Sequence, residues 1–251
     1  MNKIFSLVCL LLTLTCIAPV AAQTAAPEAP PAPNSDDALK VLFVGNSYTY
    51  YNNLSAIVAA FAAAAPSAKQ LLPKDHTMGG ATLEKIWDLR TTRDVLALKK
   101  WDFVVLQEHS YWPISSPERM FDAARKFDLA GKAIGAKTVL FLTWARQASP
   151  NEQPLLNAAY ESSATRLGAL IAPVGPAWQI ALALDPKLSL YAFDGRHPSA
   201  TGSYIAACTL FLVISGSQQP CPPLALAAVS TDHASIGRTA ALQAVTTWRK
   251  L

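Results

Sequence analysis

Three apolar runs without polar alternation punctuate the chain, at residues 40–44, 103–106 and 138–142. Rich in Val, Leu and Phe, they predict short parallel strands covered on both faces. Residues 70–72 give a weaker strand signal and 172–174 a shorter one. Helical spacing fills the intervals. Leu54, Ile57, Val58 and Phe61 fall at i, i+3, i+4 and i+7, with Asn52-Asn53 as capping candidates for the helix that carries them. Ser115-x-x-Glu118, with Pro117 between, predicts the start of a helix bearing Met120, Phe121, Ala124 and Phe127. Another helix is expected over 155–170. Residues 204–214 are apolar nearly all round, the mark of a buried helix too short for a membrane. Residues 233–251 read as an amphipathic closing helix.

Strands alternating with helices imply right-handed βαβ units, hence a parallel sheet between two helical layers. In such a sheet ligands bind beyond the carboxyl ends of the strands. The polar residues that need an explanation fall there. Ser47 follows the first run, Gly79-Gly80 the second, Gln107-Glu108-His109-Ser110 the third and Thr143-Trp144 the fourth.

The ends of the chain change this picture little. Lys3, an apolar stretch to Val20 and the small residues Ala21-Ala22 read as a signal peptide over 1–22. Cys16 leaves a lipidated N-terminus open. Residues 23–38, rich in Ala and Pro, have no periodicity and read as a linker. Residues 39–251 suit one α/β domain, expected as a monomer. The expectation is a periplasmic or secreted protein with no membrane span after cleavage. The 21 basic residues, Lys3 among them, face 17 acidic ones. That balance is too even and too dispersed for a nucleic-acid surface. Cys9 and Cys16 belong to the signal peptide, which leaves Cys208 and Cys221. In an oxidising compartment these are expected to pair, the alternative being a buried thiol and a free one.

Ser47, in Gly45-Asn46-Ser47, sits where a strand hands over to a helix, a turn that exposes its hydroxyl. Serine is a poor nucleophile until an imidazole takes its proton, and the imidazole works best when a carboxylate orients it. Asp194-Gly195-Arg196-His197 supplies both groups in one tight loop. The other histidines are His76, His109 and His233; His109 is the competitor, because it also lies at the strand edge. A tetrahedral intermediate needs donors aimed at its oxyanion. Ser47 N–H, Gly79 or Gly80 N–H and the Gln107 amide are the candidates. There is no Gly-x-Ser-x-Gly elbow, Walker loop, dinucleotide fingerprint or standard metal-ligand spacing, so neither a metal nor a cofactor is expected.

Four segments together resemble the conserved blocks of SGNH (GDSL-type) hydrolases. They are Gly45-Asn46-Ser47-Tyr48-Thr49, Gly80-x-Thr82-Leu83, Val104-Val105-Leu106-Gln107-Glu108 and Asp194-x-x-His197-Pro198. The resemblance implies a three-layer α/β/α sandwich with a five-stranded, flavodoxin-like parallel sheet. It implies Ser47 as nucleophile and first oxyanion donor, Gly80 as second donor, His197 as base and Asp194 as its orienting acid. Gln107 stands where the family carries asparagine in its third block. The Gln-Glu form of that block and the His-Pro-Ser-x-x-Gly-x-Tyr run look most like exported carbohydrate-esterase-type members. The expected substrate is an acylated glycan or a small ester, with Tyr48, Tyr111, Trp112 and Trp144 as a sugar platform. A lipid esterase, lysophospholipase or thioesterase is the alternative, followed by a non-catalytic glycan-binding module.

Overall fold

The computed structural model describes residues 37–98 and 100–249. The expected signal peptide and nearly all of the linker lie outside the described residues. Five strands form one sheet in the order β2-β1-β3-β4-β5, every neighbouring pair parallel. They are β1 (Leu39–Gly45), β2 (Leu71–Thr77), β3 (Phe103–Leu106), β4 (Lys137–Leu142) and β5 (Leu170–Pro173). A short helix α1 (Ser47–Tyr50) follows β1 and leads through a 3-10 turn into α2 (Leu54–Ala64). Helices α3 (Leu83–Trp87) and α4 (Arg90–Leu98) join β2 to β3. Helices α5 (Trp112–Ser115) and α6 (Pro117–Ala133) join β3 to β4, and α7 (Gln153–Leu167) joins β4 to β5. The chain then runs through α8 (Val174–Leu184), α9 (Ala200–Ser215) and α10 (Thr231–Trp248).

The strand residues divide by parity, as the two-residue side-chain period of a strand requires. Val41, Phe43, Val105, Val139 and Phe141 pack with α2, α8, α9 and α10 in one core. Leu42, Val44, Val104, Leu106, Leu140 and Leu142 pack with α3, α6 and α7 in the other. This is the expected α/β/α sandwich. Helix α9 is enclosed along most of its length, which explains a sequence that is apolar on every side. Cys208 in α9 is bonded to Cys221, thirteen residues on. Closing a loop of that size contributes on the order of 3 kcal/mol through the unfolded chain.

Several local expectations change. β2 extends to Thr77 through Pro73-Lys74-Asp75-His76. It is an edge strand paired only with β1, so one side has no ladder to satisfy and Pro and charge are tolerated. Ser115 does not cap α6: it ends α5, and its hydroxyl donates to Tyr111 O. Asn52 and Asn53 are both left-handed and neither side chain caps α2. Val174 opens α8 rather than closing the fifth strand, and Leu170 begins β5 rather than ending a helix.

Candidate active site

The sheet order puts the first crossover, from β1 to β2, on one side of β1 and the return to β3 on the other. The carboxyl ends of β1 and β3 therefore flank the switch point where α/β proteins bind their ligands. Ser47 emerges there. A Cβ at Gly45 would lie 2.4 Å from Thr49 Oγ1 and 2.6 Å from Gln107 Oε1, so only glycine fits where β1 ends. Asn46 is buried and caps α1, its Oδ1 accepting from Tyr48 N–H at 3.1 Å. Its Nδ2 donates to Ala81 O at 3.0 Å, tying this turn to the loop after β2. Thr49 and Tyr50 N–H both donate to Asn46 O. That leaves Ser47 N–H without an acceptor among the described residues.

The expected relay is assembled. Ser47 Oγ lies 2.8 Å from His197 Nε2, and His197 Nδ1 lies 2.5 Å from Asp194 Oδ2. The hydrogen bonds assign Nδ1–H as the donor to the carboxylate, which leaves Nε2 to accept the serine proton. Asp194 Oδ1 accepts from the N–H groups of Arg196 at 3.0 Å and His197 at 2.9 Å. Burial pushes the Asp194 carboxyl up, but these hydrogen bonds outweigh it and hold the group well below the usual carboxylate range. It is therefore anionic wherever the imidazole is working.

Two other segments pin the histidine loop. Trp144 Nε1 donates to Arg196 O at 2.9 Å, and Gln147 N–H donates to Gly195 O at 3.0 Å. Asn52 Nδ2 reaches Pro198 O and Ser199 O, both at 3.1 Å, and Ser203 Oγ at 2.9 Å. The Tyr51 ring stacks on His197 with centroids 4.5 Å apart, while Tyr48 meets it edge-on at 5.6 Å. Tyr51 and Asn52 carried no sequence signal for this task, because their partners lie some 146 residues away.

Other expected site residues divide. Gly80 has φ +65°, a left-handed turn that favours glycine. Among the described residues its N–H has no acceptor, and the same holds for Gly79. Gln107 is fully buried and its amide serves the turn rather than facing Ser47 Oγ. Its Oε1 accepts from Asn46 N–H and the Thr49 hydroxyl, both at 2.9 Å, and its Nε2 donates to Glu108 O. The longer side chain folds back beneath the strand end instead of extending over it. Glu108, also fully buried, accepts on Oε1 from Leu83 N–H at 3.1 Å and His109 N–H at 2.5 Å. Burial, opposed by those two bonds, pushes its carboxyl up to about 7. His109 Nδ1 accepts from Tyr111 N–H at 3.4 Å, while Ser47 Oγ is bonded to His197.

The aromatic platform is half displaced. Tyr48 and Trp144 are 4% and 2% exposed, packed in a stack that continues into Trp178, so they prop the histidine loop from behind. Tyr111 is 44% exposed and Trp112 is half-buried beneath the Arg119 guanidinium. Tyr50 and Phe193 are the exposed aromatics that sequence reasoning did not select. No group of three or more His, Cys, Asp or Glu side chains among the described residues is arranged to hold a metal ion. A groove of about 980 Å³ lined by Phe103, Lys137, Leu170 and Trp248 opens at the amino ends of the strands, away from the relay.

This sheet, with a serine-histidine-aspartate chain at its carboxyl edge, defines a hydrolase of the α/β/α-sandwich class. A protein assigned as an SGNH hydrolase from Slackia heliotrinireducens is 30% identical, with a TM-score of 0.61 over 70% of this chain and 99% of that one. The chain belongs to the SGNH hydrolase family. Its fold is also shared by a lipase/acylhydrolase from Enterococcus faecalis (17% identity, TM-score 0.55, 74% of this chain and 100% of that one). A catalytic mutant of an acetylxylan esterase from Geobacillus stearothermophilus shares it as well (16% identity, TM-score 0.58, 70% and 94%). No family model and no curated protein matches the chain by sequence.

Proposed function

We propose that the protein is an exported serine esterase that removes acetyl or other short acyl groups from a glycan. The observation that carries this reading is the hydrogen-bonded chain from Ser47 through His197 to Asp194. In the reaction, Ser47 Oγ attacks the ester carbonyl carbon as His197 Nε2 takes its proton. The carbonyl oxygen becomes an oxyanion that accepts from Ser47 N–H and from Gly80 N–H. Asp194 stabilises the imidazolium without taking its proton. Collapse expels the sugar hydroxyl, protonated by His197, and leaves an acyl group on Ser47. Water, deprotonated in turn by His197, attacks that acyl-enzyme and releases the carboxylic acid.

Two features support a glycan as the alcohol. Tyr50 at the end of α1 and Tyr111 and Phe193 on two loops are 43%, 44% and 102% exposed, and the apolar face of a sugar ring packs against such aromatic rings. The loops after β1, β2 and β3 contain no long apolar insertion of the kind that would sequester an acyl chain. The disulfide fits an oxidising compartment.

Hydrolysis of nitrophenyl acetate tests the reading. Ser47→Ala and His197→Ala should each lower kcat by roughly 10³ or more with melting temperature little changed. A fluorophosphonate probe should label Ser47 alone. Wild-type turnover by Ser47→Ala would end the serine-hydrolase account.

A further inference from the structure

We infer that Arg146, Ser110 and Tyr48 form a carboxylate-binding subsite beside Ser47, so that the acylated glycan is an acidic one, built from uronate sugars. This rests on the esterase reading above. Arg146 stands on the loop after β4, two residues beyond Trp144. Its Nη2 donates to Ser110 Oγ at 3.3 Å, and its guanidinium carbon lies 5.7 Å from the centre of the Tyr111 ring. Its Nε is buried with no hydrogen-bond partner, and no carboxylate among the described residues lies within ion-pair distance of it. A partly buried cation without a counter-charge is costly unless something supplies one.

The neighbours add donors, not acceptors. Tyr48 is 4% exposed, and its hydroxyl is buried without a hydrogen-bond partner among the described residues. Burial pushes that phenol up, with the Ser110 hydroxyl and the Arg146 charge pulling the other way. Ser110 accepts from Arg146, so its own proton is free to be donated. Burial and then the Arg146 charge push the His109 imidazole down. Asp194, the carboxylate of the neighbouring loop, is engaged by His197 and by two backbone N–H groups. A planar guanidinium with hydroxyl donors beside it and no resident anion matches a carboxylate.

Position makes this a substrate subsite rather than a stray charge. Tyr48 is the residue after Ser47, and its ring lies edge-on to His197. In the sheet order, Arg146 and Ser110 follow β4 and β3, on the opposite flank of Ser47 from Gly79-Gly80 after β2. With the oxyanion held on the glycine flank, the arginine flank receives the sugar that bears the ester or its neighbour.

The test compares kcat/KM on O-acetylated polygalacturonate with that on O-acetylated xylan of matched acetyl content. The wild type should favour the acidic polymer at least tenfold, and added salt should weaken the preference. Arg146→Met should bring the ratio to about one, chiefly through KM, and Arg146→Lys should restore part of it. Equal efficiency on the two polymers, or a preference that survives Arg146→Met, overturns the inference. So does a preference for nitrophenyl hemisuccinate over nitrophenyl butyrate with none for the polyuronate, which would put the carboxylate on the acyl group. Calorimetry decides without turnover. Ser47→Ala should bind oligogalacturonate more tightly than xylo-oligosaccharide and lose the difference with Arg146→Met. A wild type inert toward nitrophenyl acetate would sink the esterase reading alone, while the calorimetric comparison would still uphold or overturn the subsite.

Discussion

At the scale of single residues, Gln107 and Glu108 act from beneath the site. One Gln107 oxygen holds two donors, Asn46 N–H and the Thr49 hydroxyl, on the turn that presents Ser47. Gln107→Ala orphans both in a buried setting, at about 1–3 kcal/mol for each unsatisfied group. We expect melting temperature to fall by roughly 4 °C or more and kcat to fall with it. An oxyanion donor would behave differently, costing about 10²-fold in kcat with the melt unchanged, so measuring both separates the roles. Glu108 gives a pH signature. Its carboxyl is pushed from 4.5 to about 7 on folding, so between those values the unfolded chain binds fewer protons than the folded one. Stability from this group is therefore full below 4.5, falls as pH rises through that window and levels off above it. Glu108→Gln keeps an acceptor for Leu83 and His109 N–H and removes the titration. Melts from pH 5 to pH 8 should show the variant gaining on the wild type up to about pH 7 and holding that gain above it. Parallel curves would refute the assignment.

At the scale of elements, the left-handed turn between α1 and α2 ties the serine segment to the histidine loop. Asparagine is among the few residues that tolerate φ near +53°, and the Asn52 amide spans to Pro198, Ser199 and Ser203. Asn52→Ala leaves the Asp194–His197 pair, a contact within one loop, but removes the three hydrogen bonds that tie that loop to the turn after α1. A loss of about 10-fold in kcat with nitrophenyl acetate, and slower fluorophosphonate labelling of Ser47, is expected from misplacing a reacting group by a fraction of an ångström. Unchanged labelling would make Asn52 a packing residue. The same turn shows what the sequence could and could not convey. Buried strands β1, β3 and β4 were legible because burial on both faces leaves no polar alternation. Asp194 and His197 were legible because their contact is local. β2 was half legible, since an edge strand need not be apolar, and α8, with Gly175-Pro176 in its first turn, was not among the expected helices. Asn52, read only as a helix cap, and Tyr51 and Arg146 gave no signal of their partners, because each acquires them only when distant loops meet. The Gln107 side chain could extend over the strand end or fold beneath it, and only the close approach of Gly45 and Thr49 selects the second.

At the scale of the molecule, a short parallel sheet brings loops from β1, β2, β3 and β4 to one edge, and the chain beyond β5 returns there with Asp194 and His197. Ser47 stands at a strand end, the Asp194–His197 pair lies on the α8–α9 connection, and exposed aromatic rings occupy the outer rim. Under the proposed function, a polymer would lie across this rim while only a small acyl group reaches Ser47. Apolar selectivity in a pocket is worth only about 1–3 kcal/mol per methylene. Preference should therefore decline in steps from acetyl through propionyl to butyryl nitrophenyl esters rather than stop abruptly. Octanoyl and longer esters, which need a long apolar groove to repay their ordering, should be poor substrates. The measurement is a kcat/KM series at fixed pH with ester concentrations kept below micelle formation. A series that rises with chain length would assign the site to a lipid esterase or thioesterase, and the exposed aromatic rim would then be a surface for acyl chains instead of sugars.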